Sequence, residues 1–341
     1  MSVPKILKST DAHAPLVSIT SFDDVKTILK AMLVDGIPEL GGSLGWSEVF
    51  STAQGWVIRD GNTGNTRDWI FRPFVDGSYK YVDVRGCDTA SSATTGVNIF
   101  PSEAVHPVGG TTNKNSKPVM HIHNNSTGSS YTINNWAVIA TEKFVYFITD
   151  CSSSYRADTI DDTSGWMMTT WGHFKAHGAN VETAMVQGGG YSQYYSGLDY
   201  NMFQGTSTTV IPRFIQRTPD SDPGDGALEF MVDADRVAIR KSGKGAVTVG
   251  TWLDNRSGLP SLTSIDDPII TSTCWIYHNS VAMGSLPGLK YINANQLPPI
   301  AQGNISTLAD GKNYAIFRVG GRSSVTYGAA ILINLSDDWD L

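Results

Sequence analysis

Gly41-Gly42-Ser43-Leu44-Gly45 has the Gly-x-Ser-x-Gly spacing that presents a serine nucleophile where a strand turns into a helix. Here the order is reversed. Helical periodicity precedes the motif and Trp46 opens extended sequence, so the glycines read as a flexible helix exit. His121-Ile122-His123 places two imidazoles on one face of a strand, because side chains alternate with period two. Such a pair could hold Zn²⁺ if a third ligand joined it, and His106 is the nearest candidate. The surroundings are Asn, Ser and Thr, with no cysteine ligand, so His121 and His123 are expected to be surface or structural histidines. His173 and His177 stand four apart, but Gly172 and Gly178 flank them and argue against a metal-binding helix. No metal and no other cofactor is expected.

The carboxylates give no stronger lead. Asp220, Asp222 and Asp225 could coordinate Ca²⁺, yet Gly224 falls where a calcium loop needs a ligand, and a solvated loop is the better reading. A glycosidase needs two acids across a scissile bond, and nothing local brings any two of Glu142, Glu182 and Glu229 together. The three cysteines, Cys87, Cys151 and Cys274, are odd in number and far apart, which suits buried thiols rather than a disulfide framework. No catalytic residue is assigned, and the chain is expected not to be an enzyme. Tyr191, Tyr194 and Tyr195 form the best exposed aromatic loop. Subunit contact is the favoured use, with core packing and saccharide stacking as the alternatives.

Charge narrows the partners. Charged residues are 17% of the 341, against about 25% in an ordinary soluble domain, and Ser, Thr, Asn and Gly supply the polarity instead. The net charge is −7 and no basic run occurs, so nucleic-acid binding is not expected. No stretch approaches the roughly 20 apolar residues of a membrane-spanning helix. Met1 to Ala14 lacks the apolar core of a signal peptide, so folding in the cytoplasm of a host is the expectation.

The elements that must position these residues are legible from pattern. Pro4 and Pro15 exclude a helix in residues 1–20, which read as an extended arm with apolar anchors at Val3, Ile6, Leu7, Leu16, Val17 and Ile19. Ser21 caps a helix over about 22–35, with Asp24 completing a capping-box variant. Phe22, Val25, Ile28, Leu29, Met32 and Leu33 form its apolar stripe, Gly36 is expected as a left-handed cap and Pro38 prevents continuation. From Trp46 the pattern turns to β. Trp69–Val75 and Tyr79–Arg85 flank a turn at 76–78. Trp136–Ala140 and Lys143–Thr149 flank Thr141-Glu142, and Ala227–Val232 and Val237–Arg240 flank Ala234-Asp235. Further strands are expected at 246–252, 274–278, 314–319 and 327–335. The run Phe144-Val145-Tyr146-Phe147-Ile148 reads as buried on both faces. The predicted fold is mainly β, sandwich-like or of paired antiparallel sheets, with an N-terminal extended arm and one amphipathic helix. Residues 1–45 are expected to form the arm and helix, and 46–341 a β-rich body with a candidate division near 155–165, after the linker-like Cys151-Ser152-Ser153-Ser154, which could equally be one more loop.

Several stretches resemble a family of uncharacterised virion proteins of tailed phages and prophages. They are Lys5-Ile6-Leu7-Lys8-Ser9-Thr10, Ala14-Pro15-Leu16-Val17-Ser18, a helix ending in Leu33-Val34-Asp35-Gly36, and Gly45-Trp46-Ser47-Glu48-Val49-Phe50. Later come the strands at 69–75 and 79–85, a Leu286-Pro287-Gly288-Leu289 turn and a closing strand into Trp339. The likeness is specific over residues 5–50 and diffuse beyond. It implies a structural component of the tail, neck or baseplate, located in the virion, whose partners are copies of itself and other virion proteins. It supplies no catalytic residue. On this reading the arm anchors and Phe22 are expected to contact neighbouring subunits. Two alternatives stand beside it: a host-surface carbohydrate-binding or glycan-hydrolysing tail appendage, and a capsid decoration protein.

Overall fold

Ser21 sets where the helix begins. Its backbone is extended (φ −144°, ψ 170°), its hydroxyl accepts from Asp24 N at 3.3 Å, and the Asp24 carboxylate accepts from Ser21 N at 2.9 Å. This reciprocal box satisfies donors that have no partner within the helix. α1 (Phe22–Lys30) follows, and a π-helical turn at Ala31–Asp35 carries it to the predicted end. Gly36 then turns the chain at φ 79°, where a Cβ would sit 2.0 Å from Ser43 N. Its ψ of 153° is not the left-handed cap expected from sequence; only glycine fits the close approach.

The structure is a computed structural model. It describes residues 3–76, 79–100, 119–123, 133–150, 166–176, 184–187, 214–216, 226–232, 272–278, 281–293, 303–308, 310–319, 329–337 and 339. Among these described residues the fold is mainly β, with several antiparallel sheets and a single α-helix.

The strands in chain order begin with β1 (Lys5–Lys8), β2 (Ser47–Ser51), β3 (Trp56–Arg59), β4 (Asp68–Asp76) and β5 (Tyr79–Cys87). There follow β6 (Thr89–Ala90), β7 (Gly96–Val97), β8 (Val119–His123), β9 (Trp136–Ala140) and β10 (Phe144–Asp150). Next are β11 (Trp166–His173), β12 (Lys175–Ala176), β13 (Ala184–Gln187), β14 (Phe214–Gln216) and β15 (Gly226–Val232). The last are β16 (Ser272–His278), β17 (Val281–Asn293), β18 (Asn304–Thr307), β19 (Asn313–Val319) and β20 (Ala329–Asn334).

They form a 13-stranded sheet, a five-stranded sheet in the order β2-β3-β4-β5-β8, and the small β6–β7 hairpin. The large sheet runs β1-β9-β10-β11-β13-β14-β15-β16-β17-β20-β19-β18, with β12 beside β17. The two hairpins expected at 69–85 and 136–149 are present as β4–β5 and β9–β10. The partners expected at 237–240 and 246–252 lie outside the described residues, as does the division near 155–165. The strands on either side of that stretch, β10 and β11, pair with each other from Phe144↔Gly172 to Asp150↔Trp166.

Alternation explains the layers. Trp56, Ile58, Trp69 and Phe71 of the small sheet share one core with the α1 stripe and with Val138, Val145, Phe147 and Trp171 of the large sheet. The intervening residues of β10 point the other way. There Phe144 and Tyr146 meet the edge of Trp339 at ring-centroid distances of 6.3 and 5.4 Å, and Tyr146 Oη donates to Pro287 O at 2.7 Å. β9 and β10 are therefore covered on both faces, as the unbroken apolar run predicts. Leu286-Pro287-Gly288-Leu289 is not a turn but a bulge within β17. Between the pairs Thr273↔Lys290 and Trp275↔Ser285, β17 advances five residues (285 to 290) while β16 advances two (273 to 275). Gly288, at φ 62°, leaves the space that Trp339 fills.

The arm is part of this fold. β1 pairs antiparallel with β9 over Lys5↔Ala140 to Lys8↔Ala137, and Ile19 bridges Ile133. Leu7 and Ile19 are fully buried in the chain's own core, as is nearly all of Phe22. These three, expected at contacts between subunits, are corrected to core residues. The backbone groups of an isolated extended segment need partners, and β9 supplies them within the chain.

Candidate functional site

The face of the five-stranded sheet turned away from the main core carries the densest chemistry among the described residues. Charged residues interrupt β3, β4 and β5 at alternate positions, so they project to one side. The hairpin register sets Arg59 opposite Asp68 and Arg72 opposite Asp83, with Arg85 opposite Ile70. Arg59 grips Asp68 with two donors, Nε at 2.7 Å and Nη2 at 3.0 Å. Asp83 accepts from Arg72 Nε at 3.2 Å and Nη2 at 2.8 Å, and from Arg85 Nε at 2.8 Å and Nη2 at 3.1 Å. The side chains of Asp68, Asp83 and Arg85 are fully buried.

The β6–β7 hairpin covers this ladder through backbone groups. Ala90 N donates to Asp68 Oδ2 at 2.7 Å, and Arg72 Nη1 donates to Thr94 O at 3.1 Å. Val57, Ile70, Cys87 and Ala90 fill the space beside the charges as a small second core. Burial, reinforced by Asp68, pushes the Cys87 thiol up to about 12, against the opposing pull of Arg67 and Arg59. The hydrogen bond to Asp68 raises the Arg59 pKa in spite of partial burial, whereas burial lowers that of Arg67 against the pull of Asp60 and Cys87.

A second cluster centres on Asp60, whose side chain is also fully buried. Its carboxylate accepts from Asn62 N at 3.2 Å, Arg67 N at 3.1 Å and Trp69 Nε1 at 3.2 Å, and lies 3.1 Å from His173 Nε2. Nearby, Trp46 Nε1 donates to Thr141 O, Gly61 N to Glu142 O and His173 N to Lys143 O, each at 2.8–2.9 Å. The cluster thus fastens the loop after β3, the β9–β10 turn and the end of β11 to one another. In both clusters the carboxylates are enclosed by donors of their own chain, an arrangement suited to holding strands together.

The residues singled out from sequence are placed differently. Ser43 is a structural residue: its hydroxyl donates to Leu33 O at 3.3 Å and accepts from Gly45 N at 3.0 Å, closing the helix exit. His121 and His123 lie on β8, whose pairing with β5 skips Ile122 between them. Among the described residues no group of three or more His, Cys, Asp or Glu could hold a metal. Tyr191, Tyr194, Tyr195, His106, His177, Glu182 and the 220–225 aspartates lie outside the described residues. Val3 and Leu16 are exposed, the latter almost completely at 97%, while Ile6 and Val17 are half-buried. Trp46, Trp56, Trp69, Trp136, Trp171 and Trp339 are all buried.

Reading the sequence motif by motif missed both ionic clusters. The ladder had a local signal: Asp68 and Arg72 on one strand, Asp83 and Arg85 on the next, joined by a tight turn that fixes their register. Asp60 and His173 had none, being 113 residues apart. Comparison of the chain with family models, with curated proteins and with solved structures finds no match.

Proposed function

We propose that this chain is a structural component of a tailed bacteriophage particle, of its tail, neck or baseplate, acting through contacts with copies of itself and with other particle proteins. The resemblance of residues 5–50 to phage virion proteins motivates the reading. The observation that carries it is the use made of buried charge. Asp60, Asp68 and Asp83 each take donors from separate segments of their own chain and serve as crosslinks within a large antiparallel framework. Such crosslinks hold strands in register, which suits a protein that works by presenting a fixed surface to its neighbours. The test is direct. Antibody raised against the chain should decorate purified particles at one station, and disrupting its gene should yield particles arrested or incomplete at that station. Purified, infectious particles that lack the chain would sink the proposal.

A further inference from the structure

The bulge in β17 makes room for one aromatic ring, and the walls around that ring are braced without it. Gly288 stands at φ 62°, and a Cβ there would lie 2.1 Å from Trp339 Nε1 and 2.5 Å from its Cδ1. Phe144 and Tyr146 stand nearly perpendicular to the indole, at interplanar angles of 78° and 73°. Asn334 O accepts from Trp339 Nε1 at 2.9 Å. Tyr146 Oη donates to Pro287 O and so ties β10 to β17 directly. Phe144 packs on Tyr146 at a centroid distance of 4.9 Å, and β17 pairs with β20 through Leu289↔Ile333. None of these braces passes through Trp339.

The segment that delivers the ring is built differently. Asn334 Oδ1 accepts from Ser336 N at 2.8 Å and Asp337 N at 3.2 Å, and Asn334 Nδ2 donates to Asp337 Oδ2 at 2.8 Å. Asn313 N donates to Ser336 Oγ at 2.7 Å. Asp337 also meets Lys312 Nζ, with 42% of each side chain in water. Surface hydrogen bonds and an exposed ion pair hold a segment weakly. Trp339, by contrast, is buried.

We infer that residues 335–337 are a strap, that Trp339 is the ligand it holds in a preformed pocket, and that the strap opens while the strands around it stay paired. A site that collapses when a side chain leaves keeps no pocket. Here the Tyr146–Pro287 bond and the β17–β20 ladder hold the walls apart, so withdrawing the ring leaves an apolar space of its shape. Such a space takes a flat apolar ligand. Asn334 O adds the need for a donor, because a buried carbonyl without one is costly. The pocket therefore takes planar aromatics of the indole class. This inference stands apart from the assembly reading and does not rest on it.

Two experiments on the full chain test it. In the parent, the Trp339 indole N–H should exchange with solvent at least about tenfold faster than that of Trp69, which donates to Asp60 inside the core. Asp337→Ala should speed Trp339 exchange about threefold further and leave Trp69 unchanged. Equal exchange at Trp339 and Trp69 would mean that the ring leaves only on global unfolding, and would overturn the strap. The second experiment empties the pocket. Trp339→Gly should bind one equivalent of indole with a dissociation constant on the order of 0.1–1 mM and regain melting temperature with it. The parent should bind none at that concentration. Indene, which lacks the N–H, should bind at least about tenfold more weakly. If Trp339→Gly does not fold alone, refolding with indole is the readout. A variant that neither binds indole nor refolds with it, or a parent that binds equally, would overturn the pocket. Indene binding as tightly as indole would overturn the role of Asn334 O.

Discussion

Arg85 Nε donates to Asp83 Oδ2 at 2.8 Å, and neither side chain has any exposure to water. A buried ion pair adds little net stability when complete, because desolvation opposes the attraction. Breaking one is costly, since the remaining charge stays buried without its counterion. Asp83 serves two guanidiniums, Arg72 and Arg85, so its loss is the severe case. Asp83→Asn is expected to cost about 3–5 kcal/mol in urea unfolding. Adding Arg85→Met should give a double variant less destabilised than the sum of the singles by about 0.5–3 kcal/mol. Additive effects would show that the two side chains do not act as a unit.

Cys87 should be inert in the native protein. Its thiol is pushed up from 9.0 to about 12 by burial, then by Asp68, and the thiolate is the reactive form. Alkylation followed by peptide mass spectrometry at pH 8 should label Cys87 only after unfolding. The sign of the pH effect follows from a raised folded-state pKa. The contribution of this thiol to stability is complete below pH 9 and is lost as pH rises toward 12. Cys87→Ala should flatten that part of the alkaline limb. Rapid native labelling at Cys87 would contradict the burial.

At the helix start the effect runs the opposite way. Burial alone would raise the Asp24 pKa, but hydrogen bonds from the backbone and side chains of Thr20 and Ser21 outweigh it and hold the carboxyl below its ordinary 3.8. Stability from this group is therefore present above pH 3.8 and lost as pH falls through the lower folded value. Ser21→Ala should cost about 1 kcal/mol at neutral pH. Asp24→Asn should make acid unfolding shallower. An unchanged acid limb would mean that the box contributes nothing.

The arm separates two kinds of leucine. Leu7 is fully buried on β1, whereas Leu16 is 97% exposed. Leu7→Ala should cost about 2–5 kcal/mol, the range for a core cavity. Leu16→Ala should stay within about 0.5 kcal/mol of the parent. Deleting residues 2–20 would uncover the β9 edge and should give an unstable or aggregated chain. A soluble truncated protein with the parent's melting temperature would show the arm to be detachable.

Local rules account for what was legible beforehand. Ser21 and Asp24 announce the helix start because a cap acts within one turn. Phe22, Val25, Ile28 and Leu29 mark its buried stripe because a helix repeats every 3.6 residues. The β4–β5 and β9–β10 hairpins follow from alternation around short turns, and the apolar run at 144–148 correctly reports a strand covered on both sides. A pattern says which face of an element is apolar; it does not say what covers that face.

The tertiary structure decided the rest, because the deciding contacts join segments that no local spacing relates. In sequence the arm needed a surface to lie on, either its own domain or a neighbouring subunit, and nothing near it in the chain decided between them. Its partner, β9, begins at Trp136, whose backbone carbonyl accepts from Ser9 N and whose indole donates to Val17 O, 119 residues earlier. Leu286-Pro287-Gly288-Leu289 looked like a turn, and the space needed by Trp339 makes it a bulge in a long strand instead. Asp60 and His173 became neighbours only once both sheets were packed. By itself, then, the sequence determined the β-rich class, the helix with its cap and the short hairpins, since these depend on residues a few positions apart. Register between distant strands, and with it the buried ionic clusters and the fate of the arm, depended on which apolar faces could close against one another in three dimensions.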